Sequence, residues 1–312
     1  FRFPIKKFIP HSQPCDSAIK RQVNKIVATL KKEKFEPDVI TGHWASPQME
    51  IISELKSIYH CKTAVVLHGT GYIKSPKFNA EEYLKNIDSL GVRSLSQAKQ
   101  IKEILKLDKL PFVCNSGVPD EYLKNYRLNT EKYRNIKTWK ITYVGRLVSY
   151  KNIDSTIKAL SEIKDVKWEF NIVGDGASRT ELEELAQNLN CADKVHFWGR
   201  VSRDKVMQIL EDTHIFVMIS TNEIFGLVYL EAMAASCLTI ASKNGGVDGI
   251  IKCEKNGFLC EEGNDKELHS ILNRITKKEI NEISNIVEMG YKTAREYSDS
   301  EVARVYIKNI TQ

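Results

Sequence analysis

Arg146 stands directly after the apolar run 139–144, and Lys151 opens the amphipathic stretch that follows it. Two cations so placed suit a diphosphate, the guanidinium offering a fork of donors and the ammonium a point charge. A lone lysine there would be an ordinary solvated loop residue; the joint position after the turn at Gly145 points to a ligand instead. The sharpest signal is the segment Glu223-Ile224-Phe225-Gly226-Leu227-Val228-Tyr229-Leu230-Glu231. Glu231 interrupts an otherwise apolar helical run, where an unpaired carboxylate is costly. A ribose diol could meet that cost by donating two hydrogen bonds; a partner arginine is the alternative. Gly226 allows close backbone approach, and the N–H groups of Phe225, Gly226 and Leu227 at a helix start form a phosphate seat by geometry and dipole.

Such groups need a parallel sheet beneath them, because open parallel sheets bind ligands at the carboxyl ends of their strands. Apolar bursts alternate with amphipathic stretches along the chain, the pattern of a parallel sheet wrapped by helices. Residues 17–35 read as a helix with Ile19, Val23, Ile26, Val27 and Leu30 at helical spacing and Lys20, Arg21, Lys25, Lys31 and Lys32 on the other face. A short strand at 37–40 ends at Thr41-Gly42-His43-Trp44, a helix spans 47–58, and a strand at 63–67 runs into His68. A strand at 87–92 precedes a helix capped by Ser94, and 112–114 closes on Asn115-Ser116-Gly117-Val118-Pro119. The polar, weakly periodic residues 122–138 read as a domain linker. Beyond it, strands are expected at 139–144, 168–173, 194–198, 214–219, 238–241 and 257–260. Helices are expected at 151–163, 179–189, after a Ser202 cap, at 225–235 and from 265 nearly to the end.

A length of 312 residues suggests two domains. With 42% hydrophobic and 28% charged residues, the composition excludes wholesale disorder, collagen-like repeats and a disulfide mini-scaffold. No apolar run approaches the roughly 20 residues that span a bilayer. The charge is unevenly spread. Residues 1–139 hold 24 Lys and Arg against 14 Asp and Glu, a balance of +10, and the remainder balances at −4. A basic half joined to a mildly acidic one suggests two tasks, one of them at an anionic surface. The seven cysteines (15, 61, 114, 191, 237, 253 and 260) lack metal-ligand spacing and fit buried thiols in a reducing cytoplasm. Residues 1–15 lack a secretion-leader layout, and the chain, beginning at Phe1, reads as cut from something longer.

Taken in order, Gly145-Arg146 with Lys151, Gly174-Asp175-Gly176, Gly199-Arg200-Val201-Ser202, Glu223 with Glu231, Gly245-Gly246 and Asn256-Gly257-Phe258-Leu259 resemble glycosyltransferase family 4. The resemblance is close over 138–275 and looser over 36–120. It implies an α/β, GT-B architecture of two Rossmann-like domains facing across a cleft. An incomplete acceptor-side domain is expected at 1–136, a donor-binding domain at 137–295, and a helix at 296–312 returning to the N-terminal domain. The implied activity is retaining, metal-independent hexosyl transfer from a nucleotide sugar, UDP-linked ahead of GDP-linked, to a glycan or lipid-linked acceptor. Cell-surface polysaccharide synthesis in the cytoplasm, at the inner face of the membrane, is the implied setting, with no nucleic acid as partner.

Residue by residue, the resemblance implies that Arg146 and Lys151 clamp the donor diphosphate and that Glu223 holds hydroxyls of the transferring sugar. It gives Glu231 the ribose, and the backbone from Phe225 and Gly226 to Leu227 and Val228 the distal phosphate. Gly199, Arg200 and Val201, with Lys205 nearby, would edge the nucleobase, and Gly145 belongs to the same donor-binding set. His68 matches an active-site histidine on the acceptor side; for His43, also placed on the acceptor side, a structural or acceptor-positioning role stands level with a catalytic one. Ile224, Ser236 and Leu238 depart from the family pattern, and no glycine-rich loop precedes residue 36, so the first βα units are expected to be missing. The competing readings are a non-catalytic GT-B partner subunit and a GT-B sugar-nucleotide epimerase. A nicotinamide-dependent dehydrogenase is excluded by the lack of a strand-following Gly-x-Gly-x-x-Gly.

Overall fold

The computed structural model describes residues 15–75 and 78–311. The leader reading concerns residues 1–15, of which all but Cys15 lie outside the described residues. The chain divides into two compact units, Phe1–Asn115 with Ala303–Gln312, and Ser116–Val302.

The first unit runs α1 (Asp16–Lys32), β1 (Val39–His43), α2 (Gln48–Tyr59), β2 (Lys62–Leu67), α3 (Ala80–Leu84), β3 (Ser89–Val92), α4 (Leu95–Ile104) and β4 (Phe112–Val113). Its four strands are parallel and adjacent in chain order. Helix α1 buries Ile19, Val23, Ile26 and Leu30 against Ile51 and Leu55 of α2, as a 3.6-residue apolar period requires. Its expected basic face, from Lys20 to Lys32, is exposed. The Ser94 hydroxyl accepts a bond from Gln97 N at 3.3 Å and caps α4.

The second unit begins with α5 (Asp120–Asn125) and continues β5 (Trp139–Val144), α6 (Ile153–Ser161), β6 (Trp168–Val173), α7 (Arg179–Asn188) and β7 (Val195–Gly199). Helix α8 (Arg203–Glu211), β8 (Ile215–Met218), α9 (Leu227–Ala234), β9 (Leu238–Ser242) and β10 (Phe258–Cys260) follow. Helices α10 (Asp265–Thr276), α11 (Ile280–Glu296) and α12 (Asp299–Thr311) end the chain. The six parallel strands lie in the order β10-β9-β8-β5-β6-β7. From β5 the chain therefore builds outward through β6 and β7, then returns to the other side of β5 and builds β8 to β10. That reversal, between β5 and β8, is a topological switch point, the place where doubly wound sheets bind ligands. Every residue of β8 and β9 is buried, which explains the unbroken apolar sequence of β8.

The boundary expected at residue 136 is corrected to 115. Residues 122–138 are not a linker: Leu123 and Tyr133 lie in the core of the second unit. The Tyr133 hydroxyl lies 2.7 Å from the carbonyl of His214 and 2.9 Å from that of Ser236, and accepts from Leu238 N at 3.0 Å. Two anchors in a polar stretch leave no periodicity to read. The terminal helix joins the first unit from residue 303. Residues up to 302 group with the second unit and those from 303 with the first, because Val118 N donates to Tyr297 O and Asp299 N to Val118 O, at 2.8 and 2.9 Å. All seven cysteines are free thiols, four of them buried. Among the described residues no helix is long and apolar enough to cross a membrane.

Candidate functional site

The loops after β5 and β8 meet at the switch point. After β5 the chain makes a short 3-10 turn at Ser149–Lys151, and Asn152 then takes a left-handed conformation. The Asn152 side-chain amide donates to the carbonyl of Ile219 at 2.8 Å and to the Thr221 hydroxyl at 3.0 Å, and Thr221 N donates to Tyr150 O at 2.8 Å. Lys151 is thereby fixed beside Glu223, and the two form an ion pair with each side chain only 13% exposed. Arg146, on the same loop, is exposed and donates to the Tyr150 hydroxyl at 2.9 Å. The two expected diphosphate cations and the expected sugar-binding carboxylate thus share one loop cluster.

Glu231 lies one helical turn inside α9. Its side chain is 9% exposed and is paired with Arg203 at the start of α8. Arg203 Nε donates to Oε1 at 3.2 Å and Nη2 donates to the same oxygen. The guanidinium also lies over the Tyr122 ring, 5.3 Å from its centroid. The alternative of a partner arginine is therefore the one the structure shows. Arg203 was missed in the sequence, although its place beside the Ser202 cap was legible. Helix α9 begins at Leu227 rather than at the expected 225, because Gly226 is left-handed at φ 76°, a conformation that favours glycine. A Cβ on Gly246 would stand 2.4 Å from Phe225 Cα, so the loop after β9 holds the approach to α9 from behind. The first N–H groups of α9 have no partners within the helix.

At the end of β7, Gly199 is left-handed and Arg200 exposed, with Val201 half-buried. Lys205 lies over the exposed Trp198 ring at 5.5 Å. Ser202 caps α8 as expected, accepting from Lys205 N at 3.3 Å.

His43 and His68 belong to the first unit. His43 is the last residue of β1, and Trp44, His68 and Arg93 are the first residues beyond β1, β2 and β3. His43 Nδ1 and His68 Nε2 share a hydrogen bond of 2.9 Å, and His43 Nε2 lies 3.4 Å from the Tyr306 hydroxyl of α12. Burial, then the charge of Arg93, lowers both imidazoles below their usual range, His68 to about 4. Both rings are neutral at pH 7, each with one donor and one acceptor nitrogen. Arg93 was missed although it follows a strand just as Arg146 does. Trp44 has φ 80°, an outlier for so bulky a side chain that costs about 1–3 kcal/mol. Its ring stacks on His68, 4.4 Å between centroids and 22° between planes.

Comparisons with known proteins converge on one family. Residues 127–293 match glycosyl transferases group 1. An uncharacterised glycosyltransferase of Methanocaldococcus jannaschii is 28% identical over 265 residues, 84% of this chain and 71% of its own length. The N-acetyl-alpha-D-glucosaminyl L-malate synthase of Bacillus anthracis is 25% identical over 264 residues, covering 80% of this chain and 67% of that protein. Among solved structures, Anabaena HepE in complex with UDP superposes with a TM-score of 0.76 at 19% identity, over 93% of this chain and 82% of that one. A family match over more than half of the sequence and two parallel α/β sheets of the GT-B kind lead to one conclusion: this chain belongs to the glycosyl transferases group 1.

Proposed function

We propose that the chain transfers a hexose or N-acetylhexosamine from a UDP-sugar to a hydroxyl of a glycan or lipid-linked acceptor, retaining the anomeric configuration and using no metal ion. The observation that carries this reading is the cluster at the switch point, where Arg146, Lys151 and Glu223 share one loop pair. Breaking the anomeric C–O bond leaves negative charge on the departing diphosphate. Fixed cations and helix N–H groups stabilise that charge as it develops. In this scheme Lys151 turns from Glu223 to the phosphates, freeing the Glu223 carboxylate to accept from a hydroxyl of the transferring sugar. The ribose hydroxyls take Glu231 in place of Arg203. The acceptor oxygen forms the new C–O bond and its proton passes to the leaving phosphate. A retaining glycosidase would need two opposed carboxylates, one as nucleophile; here both are assigned to donor recognition. His68, with His43 holding its ring, is assigned to the acceptor side.

Two relatives support the donor class: HepE is described in complex with UDP, and the malate synthase is named for an N-acetylglucosaminyl transfer. Calorimetric titration with UDP, GDP, ADP and TDP, in EDTA, tests the reading; UDP binding in the micromolar range is expected. Failure of every nucleotide to bind, or strict dependence on Mg²⁺, overturns it. The exposed basic face of α1 is proposed to meet anionic lipid, at about 1 kcal/mol per well-placed cation. Absence of co-sedimentation with anionic vesicles at low salt would refute that part.

A further inference from the structure

Large aromatic side chains are normally covered, and in this chain Trp139 and Trp168 are. Trp44 is 56% exposed, yet it is not loose. Its backbone N donates to Val66 O at 2.8 Å, extending the β1–β2 pairing by one residue, and its ring is stacked on His68. The left-handed backbone at Trp44 holds an indole at the carboxyl edge of the sheet, where strand ends bind ligands. Strain of this kind persists only where the surroundings enforce it, and it clusters at functional positions. Beside it, the loop after His68 is stripped of bulk: a Cβ on Gly69 or Gly71 would meet nothing within 4 Å.

We propose that Trp44 is the platform on which a sugar ring of the acceptor stacks, and that it sets acceptor affinity. The inference rests on the assignment of His68 to the acceptor side. One face of a pyranose presents C–H groups, weakly positive and apolar, and these suit the negative face of an indole. The same contact removes apolar surface from water while the hydroxyls stay at the rim. There His68, its Nε2 held by His43 Nδ1, turns its Nδ1 to a hydroxyl. A stack fixes the plane of the ring and leaves its substituents to neighbouring polar groups, so the platform selects for a sugar ring rather than for one sugar.

Labelling with 5-fluorotryptophan tests the proposal, since the chain holds four tryptophans and Trp44→Phe identifies the signal of interest. The probes are the methyl α- and β-glycosides of glucose, galactose and N-acetylglucosamine, with UDP titrated separately. The Trp44 resonance is expected to move saturably with at least one glycoside and to stay fixed with UDP. Trp44→Ala is expected to weaken that glycoside about tenfold, Trp44→Phe by no more than about threefold, with UDP affinity and melting temperature unchanged in both. UDP binding with a Trp44 signal that no glycoside moves overturns the platform and leaves the transferase reading standing. A Trp44 signal moved by UDP alone assigns the ring to the nucleotide and equally overturns it. Failure of every nucleotide to bind, with the glycoside response intact, sinks the donor reading instead.

Discussion

Removing the Glu231 carboxylate and removing its partner Arg203 should have opposite consequences. Glu231 is 9% exposed while Arg203 is 52% exposed. In Arg203→Ala the carboxylate is left buried without its cation. The cost lies between that of an exposed pair, about 0–1 kcal/mol, and a fully buried one, about 3–5 kcal/mol. A loss of about 1–2 kcal/mol is expected, because water can reach the position the guanidinium vacates. In Glu231→Ala the half-exposed guanidinium stays solvated over Tyr122, and stability should hardly change. Nucleotide binding reverses the order. Bonds from the ribose diol to a carboxylate supply about 2 kcal/mol, so Glu231→Ala should weaken UDP roughly 30-fold. Arg203→Ala removes a competitor for the same oxygen and should leave UDP affinity equal to or above wild type. Calorimetry with UDP and 2′-deoxy-UDP decides the matter. Wild type should prefer UDP by about 1 kcal/mol, roughly fivefold, and Glu231→Ala should show no preference. Equal UDP affinity in wild type and Glu231→Ala, or an unchanged preference for the 2′-hydroxyl, would remove Glu231 from the ribose site.

Lys151→Ala should cut turnover by about 10²–10³, as loss of a transition-state donor does, and Glu223→Ala should lower turnover far more than UDP affinity; steady-state kinetics beside calorimetry separate the two. Tyr133→Phe leaves the Ser236 carbonyl short of a partner, while Leu238 N keeps its bond to His214 O at 2.9 Å, and urea unfolding should show a loss of about 1–3 kcal/mol. Gly246→Ala drives a Cβ into the Phe225 backbone and should lower both the melting temperature and UDP affinity. Burial and neighbouring cations hold His68 and His214 at about 4 in the folded chain, against about 6.5 unfolded. Between those values the unfolded chain binds more protons, so stability should fall as pH drops from 6.5 towards 4. Urea midpoints that stay flat or rise over that range would contradict it.

Much of the loop cluster at the switch point was legible because strand ends in a parallel sheet are marked in sequence by an apolar run that stops at Gly-Arg or at a polar loop. Arg146, Lys151 and Glu223 all follow that rule, and the caps at Ser94 and Ser202 were equally plain. What stayed hidden were pairings across chain distance. Nothing near Glu231 in sequence says that Arg203 covers it, and nothing in the polar stretch around Tyr133 says that its hydroxyl plugs three backbone groups. Arg93 is a different case: the rule that exposed Arg146 applies to it, but the strand before it is short. The left-handed turn at Trp44 left no trace, since glycine, not tryptophan, is the usual signature of such a backbone.

The first unit is assembled from both ends of the described chain. Lys62 reaches the carbonyl of Thr311, Ser89 that of Asn309, and His43 meets Tyr306, pairs separated by 249, 220 and 263 positions. On a ribosome adding about 5–20 residues per second, the sheet of this unit emerges roughly ten seconds or more before its closing helix. Through that interval β1 to β4 must persist without the contacts that seal them, while the second unit is made and can fold as a contiguous stretch. The histidine pair therefore gains its tyrosine neighbour only once α12 has emerged. A nascent chain arrested before residue 303 would carry an assembled second unit and an unfinished first one.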